Sequence, residues 1–343
     1  MSLKSTKKSI WTIFDVQSSP KETESTPHKG FARNYRIPPW CDIRPGDPWS
    51  IPESLRENAR LLARLDDGKI QEAFELQFAN FIYSSNMIEG AGLDQTETLE
   101  AVREVLLELK VETNNGWLEK RSTLSNDSNS RREVTQHVRA FLYLKSRISD
   151  NGNLLEADFL TCHRILTEGI PSSGGFQGYQ GQYRYCEMVV GRPLILRTGE
   201  EIRCLQADEV PEKMKSWLAS YNSALAGSCD PVAIASELKI KFLEIHPFLD
   251  GNGRMSRLLF NSLITNYYPH TIIAFGESGR ERSKYQQSVR ESIKRRAPGI
   301  FAFFALQKAT RSSLQRLEDV QSDIQLPDLA RIKDSLRVVA GSK

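Results

Sequence analysis

The chain has 343 residues, of which 39% are hydrophobic, and its 46 Lys and Arg residues nearly balance 43 Asp and Glu residues. This length predicts about two structural units, and the apolar fraction is enough for a substantial core. The composition excludes a disordered, collagen-like or disulfide-scaffold protein. The formal net charge of +3 argues against a chain that mainly coats nucleic acid or an anionic membrane.

Cysteine usage and apolar runs bear on the compartment. The five cysteines are scattered, odd in number and never spaced as CxxC, so we expect no disulfide framework, although a link between Cys186 and Cys204 stays open. No segment has the apolar run of a signal peptide or the ~18 apolar residues of a transmembrane helix. We therefore expect a soluble, cytoplasmic protein with no membrane partner, with the nucleus as the alternative location.

The first half of the chain is predicted to hold an arm followed by helices. Residues 1–50 show no clear period and are predicted to form an extended N-terminal arm, and residues 51–150 a helical region. Within that region, one helix of about 70–90 should end at Gly90. Its apolar stripe, at spacings of 4, 4 and 3, consists of Ile70, Phe74, Phe78 and Phe81. The polar residues 113–132 predict a surface loop.

The second half predicts helices interrupted by one hairpin. Residues 151–310 form the predicted core, with a helical run at 155–170 and a Gly- and Gln-rich break at 174–182. Apolar residues interleaved with Gly and Pro at 185–204 fit a single β-hairpin. Residues 311–343 are predicted to be a C-terminal helical tail. The expected fold class is therefore mostly α with one small hairpin.

The most informative segment is residues 246–257, HPFLDGNGRMSR, which separates two predicted helices. Asp230 followed by Pro is typical of a helix start, and Pro247 should end that helix near His246. A second apolar stripe follows Arg254, so the glycines should lie just before a new helix. A Gly-Asn-Gly turn at a helix N-terminus presents backbone N–H groups and the positive end of the helix dipole to an anion.

Side chains around this turn supply the other parts of a phosphate-transfer site. Arg254 and Arg257 are three residues apart on one helix face, where they can bind further phosphates. Asp250 is a candidate Mg²⁺ ligand, because nucleotide-bound Mg²⁺ commonly uses one or two protein carboxylates. His246 can accept a proton from an incoming hydroxyl at neutral pH. The set predicts phosphoryl or nucleotidyl transfer.

Each of these residues also has a structural alternative. A single His at a helix end is usually a cap or core residue, and Asp-Gly and Asn-Gly are common turn dipeptides. Two Arg residues at the positive end of a helix are unfavourable without an anion, and this favours the functional interpretation. The histidines that lack metal-ligand spacing are predicted to be structural: His28, His137, His163 and His270.

The same twelve residues resemble the signature of the Fic (filamentation induced by cAMP) family, H-x-F-x-[D/E]-G-N-G-R-x-x-R, and meet every defined position. The resemblance extends over roughly residues 70–305 and includes the GQYR sequence at 181–184, which precedes the place of the family's flap. It implies a Fic-type helical core with the hairpin 185–204 as flap. It also implies AMP transfer from ATP to a protein hydroxyl.

Position by position, the resemblance assigns roles to the motif. His246 would be the general base and Asp250 the Mg²⁺ ligand. The anion hole for the α- and β-phosphates would be formed by Gly251, Asn252 and Gly253, and the β- and γ-phosphates would be held by Arg254 and Arg257. The flap residues over the nucleotide and the target segment would be Val190, Gly191, Arg192 and Pro193.

A second motif lies in the predicted 70–90 helix. The sequence SNMIEG, from Ser85 to Gly90, resembles the [S/T]-x-x-x-E-[G/N] inhibitory motif of Fic proteins. The resemblance implies that Glu89 pairs with Arg257 and so withholds this cation from the γ-phosphate. A Glu in the last helical turn also opposes the helix dipole and would be better placed beside a cation. The structural alternative is an exposed Glu before a Gly C-cap.

The sequence departs from the family pattern near the expected nucleotide base. Relatives often carry Tyr-Tyr followed eight residues on by Asn, whereas this chain has Lys284 and Tyr285, followed by Ile293. Tyr285 can stack on a base or be an ordinary helix-core residue, so both interpretations and the nucleotide preference stay open.

We therefore expect an Mg²⁺- and ATP-dependent protein adenylyltransferase that is inhibited by Glu89. The resemblance also implies a target protein, such as a chaperone or a GTPase, and a homodimer. The alternatives are a mainly de-AMPylating enzyme, transfer of another nucleotide monophosphate, and an ATP-sensing interaction module without turnover.

Overall fold

The computed structural model describes residue 36 and residues 67–111, 129–172, 174–187, 204–227 and 230–319. Regular structure in these ranges is helical. The α-helices in chain order are α1 (Asp67–Glu89), α2 (Gln95–Val111), α3 (Asn129–Asn151), α4 (Glu156–Thr167), α5 (Val210–Ala226), α6 (Pro231–Ile245), α7 (Asn252–Tyr267), α8 (Gly279–Lys294) and α9 (Gly299–Asp319). The mostly-α prediction is confirmed for this part of the chain. None of the helices described combines the length and the hydrophobicity that a membrane-spanning segment needs.

Several predicted segments fall wholly or partly outside the described ranges. These are the arm 1–50 apart from residue 36, most of the hairpin 185–204, and the tail beyond 319. The predicted loop 113–132 extends too far, because α3 already begins at Asn129. The predicted boundary between core and tail, at 310 and 311, lies inside the continuous helix α9.

The helix α7 forms the centre of the packing. Every residue from Met255 to Thr265 is buried, as expected for a helix surrounded on all sides. It packs most closely against α6 and also contacts α1, α3 and α5. The loop that joins α6 to α7 is therefore held between two helices that cannot shift without disturbing the core.

The helix α1 packs through an aromatic stripe and ends where the sequence predicted. The Phe78 ring lies 5.2 Å from that of Phe141 on α3, and Phe74 and Phe81 are buried beside it. The helix ends at Glu89, and Gly90 adopts φ 72°, a left-handed conformation that favours glycine. The last turns of α1 carry a polar stripe that includes Ser85 and Glu89, four residues apart. Ser84 and Asn86 beside Ser85 are also polar, and all three of these residues are buried.

Candidate active site

The helix α6 ends by placing His246 in an uncommon conformation. Its start matches the prediction, because the Asp230 side chain accepts hydrogen bonds from the N–H groups of Val232 and Ala233 and Pro231 follows it. Pro247 cannot continue the helix, and His246 becomes the C-cap with φ 50° and ψ 61°. This left-handed conformation is uncommon for a residue other than Gly. The turn directs the chain from the α6 axis into the loop.

The imidazole of His246 is in its neutral form at physiological pH. Burial, and to a smaller extent the charge of Arg184, lower the pKa of His246 to about 4. A neutral ring can accept a proton, which is the requirement for a general base.

Asn252 holds the loop closed with its side chain. Its Oδ1 accepts a hydrogen bond from the Phe248 N–H at 3.0 Å, and its Nδ2 donates to the Phe248 carbonyl at 2.7 Å. The side chain is 3% exposed, and both its oxygen and its nitrogen are engaged in these bonds. In the predicted anion hole, Asn252 would therefore contribute its backbone N–H, because its amide side chain is bonded to the loop.

The helix α7 begins earlier than predicted. Gly251 is its N-cap at φ 78°, so Asn252 and Gly253 belong to the first turn rather than preceding it. A Cβ on Gly251 would come within 3.1 Å of Thr167 Cγ2 and 3.3 Å of His163 Nε2. Both the backbone angle and the close neighbours require glycine here.

His163, which is predicted to be structural, supports the loop from α4. Its Nδ1 accepts a hydrogen bond from the Gly181 N–H at 2.9 Å, so its Nε2 carries the proton and donates to the Asp250 carbonyl at 3.0 Å. The ring stacks face to face on Phe248 with centroids 3.5 Å apart. Burial lowers the pKa of His163 to about 3, which preserves this neutral tautomer. No sequence motif indicated this contact.

Arg254 supplies unused hydrogen-bond donors beside the first turn of α7. The residue is 5% exposed, and its Nε and Nη1 atoms are buried without a hydrogen-bond partner among the described residues. Its Nη2 lies 3.8 Å from Asp250 Oδ1, which in turn accepts the Gly251 N–H at 2.6 Å. Buried donors without partners are costly, and an anion bound at the α7 N-terminus would satisfy them.

Arg257 is engaged by the polar stripe of α1. Its Nη2 donates to Glu89 Oε1 at 2.6 Å and to the Ser85 carbonyl at 2.9 Å. Its Nε donates to Ser85 Oγ at 2.7 Å, and the whole residue is 1% exposed. A Cβ on Gly253 would overlap Glu89 Oε1. The Glu89 carboxylate thus lies directly against the α7 N-terminus, in the position suited to an anion.

A buried lysine that sequence reasoning missed lies behind the same turn. Lys239 of α6 donates from Nζ to Ser256 Oγ at 2.6 Å, and Ser256 donates to the Gly253 carbonyl at 2.8 Å. Burial lowers the pKa of Lys239, which is 2% exposed. The residue lies within an apolar stripe, where no motif marks it.

Tyr285 lies in the aromatic core between α8 and α9. Its ring stacks on Phe275 with centroids 5.3 Å apart, and the residue is 4% exposed. Its hydroxyl accepts a 3.4 Å hydrogen bond from Arg257 Nη1. This placement matches the core alternative, while a contact with a nucleotide base stays a prediction. Ile293 also packs against the core.

The predicted flap residues Val190, Gly191, Arg192 and Pro193 lie outside the described ranges. The chain on either side of them is described, and Cys186 and Cys204 are not joined by a disulfide. Among the described residues, no cluster of three His, Cys, Asp or Glu side chains could hold a metal ion. The role of Asp250 as a ligand of an Mg²⁺ ion that arrives with phosphate oxygens stays a prediction.

Part of the chain matches a family of known proteins. Residues 153–264 match the Fic/DOC family model. This part of the chain is therefore similar to a Fic domain. The matched range runs from the residues just before α4 into α7 and includes the loop 246–251. The helix α1, with the SNMIEG sequence that resembles the inhibitory motif, lies outside it.

Curated relatives of the chain include protein adenylyltransferases. It is 28% identical over 238 residues to the protein adenylyltransferase Fic of Drosophila melanogaster, a match that covers 68% of this chain and 41% of that protein. It is 32% identical over 148 residues to that of Drosophila willistoni, covering 43% and 26%. The chain therefore spans about two fifths of the length of the first of these relatives.

Two solved structures share the fold. A Fic domain containing signaling protein from Bacteroides thetaiotaomicron aligns with a TM-score of 0.54 at 22% identity, over 86% of this chain and 98% of that one. The Fic-1 protein of C. elegans aligns with a TM-score of 0.59 at 17% identity, over 80% and 73%. The likeness confirms the predicted Fic-type helical fold.

Proposed function

We propose that the protein is an adenylyltransferase that moves AMP from Mg²⁺-bound ATP to a Ser, Thr or Tyr hydroxyl of a target protein. The observation that carries the proposal is the arrangement of one loop. At its start lies a neutral, half-buried His246. At its end lies a helix N-terminus beside Arg254, whose buried Nε and Nη1 atoms have no hydrogen-bond partner among the described residues. The names of the homologous Fic proteins favour AMP as the transferred group.

The reaction assigns one task to each part of the loop. The target hydroxyl oxygen forms a bond to the α-phosphorus, the bond from that phosphorus to the β-phosphate bridging oxygen breaks, and pyrophosphate leaves. His246 accepts the hydroxyl proton as the new bond forms. The backbone N–H groups of the first turn of α7 and the Arg254 guanidinium stabilise the negative charge on the phosphates. Asp250 would hold the Mg²⁺ that neutralises part of this charge.

We propose that Glu89 inhibits this reaction. Its carboxylate occupies the Arg257 guanidinium and lies against Gly253, so the γ-phosphate of ATP meets a negative charge where it needs a cation. ATP can then bind, but with its phosphates displaced from the position that aligns the α-phosphorus with the hydroxyl. Displacement of Glu89 by mutation or by a partner would free Arg257.

The experiment that tests the function compares the Glu89→Gly variant with the wild type. Each is incubated with ATP and cell lysate, and mass spectrometry reports the transferred mass and its acceptor. We expect an added AMP group with Glu89→Gly, a much weaker signal with the wild type, and none when His246→Ala is combined with Glu89→Gly. If Glu89→Gly binds ATP without modifying any protein, the chain is an ATP-sensing module instead.

A second candidate activity is removal of AMP from a modified protein. The Glu89 side chain is 37% exposed while it contacts Arg257, so water can reach a carboxylate at the site. In this role Glu89 would orient a water for attack on the phosphorus, and Glu89→Gly would abolish release of AMP. Incubation of the modified acceptor with wild-type protein, followed by measurement of free AMP, separates the two directions.

The proposal includes a target protein, such as a chaperone or a GTPase. It also includes a homodimer of the chain. The mass-spectrometry experiment identifies the target, and light scattering of the purified chain gives its oligomeric state. The same experiment gives the transferred mass and thereby distinguishes AMP from another nucleotide monophosphate.

A further inference from the structure

The Arg184 guanidinium lies at the junction of three segments. Its Nε donates to the His246 carbonyl at 2.8 Å, and its Nη1 donates to the Cys186 carbonyl at 3.0 Å. Its Nη2 donates to the Leu205 carbonyl and, at 3.4 Å, to the Ile245 carbonyl. The residue is 2% exposed, so these carbonyls are bonded to a buried guanidinium instead of to water. Hydrogen bonds from a charged donor are stronger than those from a neutral one.

We propose that Arg184 is a positioning residue that fixes the backbone of His246, and through it the imidazole, while tying that backbone to residues 186 and 205. The inference rests on the proposed role of His246 as general base. None of these side-chain hydrogen bonds reaches the phosphate-binding turn, so the effect of Arg184 on the reaction should act through His246.

The backbone geometry supplies the reason that such support is needed. His246 holds φ 50°, a conformation that persists in a non-glycine residue when its surroundings over-determine it. Arg184 bonds both peptide groups that follow this angle: its side chain bonds the His246 carbonyl, and its backbone N–H bonds the Pro247 carbonyl at 2.8 Å. On the other side, the His246 N–H donates to the Phe242 carbonyl at 2.9 Å.

The charge of Arg184 gives the proposal a signature that packing alone would not have. The charged groups that act on His246 are Arg184, which lowers its pKa, and Glu89 and Asp250, which raise it. The four carbonyls also include the end of α6, where a cation is favoured by the helix dipole. Loss of the positive charge should therefore raise the pKa of His246, whereas a lysine at this position should leave it low.

The test uses the full chain with Glu89→Gly, into which Arg184→Lys or Arg184→Gln is introduced. Lysine keeps the charge but not the planar fork of donors, and glutamine keeps a donor but not the charge. The control is Arg132→Gln, because Arg132 Nη1 likewise donates to a backbone carbonyl, that of Gly169 at 2.9 Å, away from the loop. Calorimetry measures the affinity for ATP, and the rate of label transfer from ATP to lysate protein measures the activity. NMR titration measures the pKa of the His246 ring.

We expect both Arg184 variants to transfer label about 10- to 100-fold more slowly, as for a misplaced catalytic group, with ATP affinity changed less than about threefold. In Arg184→Gln, the acidic side of the pH–rate profile and the pKa of the His246 ring should both move to higher pH. In Arg184→Lys, both should stay where they are in the parent. Arg132→Gln should behave as its parent does. An unchanged rate, or a parallel loss of ATP binding in both variants, would overturn the proposal.

The outcome is separable from that of the proposed function. If Glu89→Gly transfers no label while Arg184 is intact, the proposed function has failed. The NMR titration still reports whether Arg184 controls the ring of His246, and an unshifted ring in Arg184→Gln contradicts the positioning role by itself.

Discussion

The Glu89 carboxylate and the Arg257 guanidinium are joined by a 2.6 Å hydrogen bond across 168 positions of sequence, at the N-terminal turn of α7. The arginine side of this pair is nearly inaccessible to solvent, whereas the glutamate side is partly exposed. The pair also resolves the unfavourable position of each residue, since Glu89 lies at the negative end of α1 and Arg257 near the positive end of α7.

Glu89→Gln should raise AMP incorporation to a level between the wild type and Glu89→Gly. The amide keeps the volume and one acceptor but removes the charge that opposes the γ-phosphate. Couplings of this kind typically amount to about 5- to 150-fold, and the effect of Glu89→Gly should lie in that range or above. Initial rates with labelled ATP measure it. Equal rates for the wild type and both variants would exclude an inhibitory role for Glu89.

Gly253→Ala should weaken ATP binding at least about tenfold in the Glu89→Gly chain, because the added methyl takes space needed by an anion. The same methyl would overlap Glu89 Oε1 in the wild type, so the Glu89→Gly background removes that clash from the comparison. The matched control is Gly279→Ala, since a Cβ on this residue at the first turn of α8 meets no atom within 4 Å. Calorimetric titration with ATP gives the affinities. Similar affinities for both alanine variants would argue against an anion at Gly253.

Asn252→Ala should cost about 2–3 kcal/mol of unfolding free energy, because it leaves the buried Phe248 N–H and carbonyl without partners. It should also abolish tight ATP binding, since the loop is no longer held closed. Asn222→Ala is the matched control: Asn222 makes the same pair of bonds, to the Leu154 N–H at 2.8 Å and its carbonyl at 2.9 Å, away from the site. Urea unfolding and ATP titration should show a stability loss in both variants, with normal ATP binding in Asn222→Ala.

Stability should decrease as the pH falls below about 6.5, the usual pKa of an unfolded histidine. The folded pKa is lowered to about 3 for His163 and to about 4 for His246, so the unfolded state binds the protons first. Their contribution is complete above the unfolded pKa and is lost as the pH falls toward the folded values, at up to about 1.4 kcal/mol per pH unit for each ring. Urea unfolding from pH 7 to pH 5 measures the slope. His163→Gln should reduce it, and an unchanged slope would contradict the buried neutral state.

What the sequence determined by itself is the local turn at the site and the set of candidate residues. Pro247 and the two glycines dictate a helix–loop–helix turn, because one residue cannot continue a helix and the others permit left-handed angles and close approach. The end of α1 at Gly90 follows from the same kind of local chemistry. The resemblance of residues 246–257 then indicated the Fic domain, which the comparisons confirm.

The tertiary structure decided which distant groups meet. Asn252 closes the loop with its side chain, His163 supports it from α4, and Tyr285 lies in the core, because packing brings these residues together across long stretches of chain. Arg184 belongs to the GQYR sequence, but neither it nor Lys239 could be given a role from the sequence. A buried cation is recognised by its carbonyl and hydroxyl partners rather than by its spacing. The sequence predicted which groups react, and the packing of α1, α4 and α6 around α7 determines how these side chains are held.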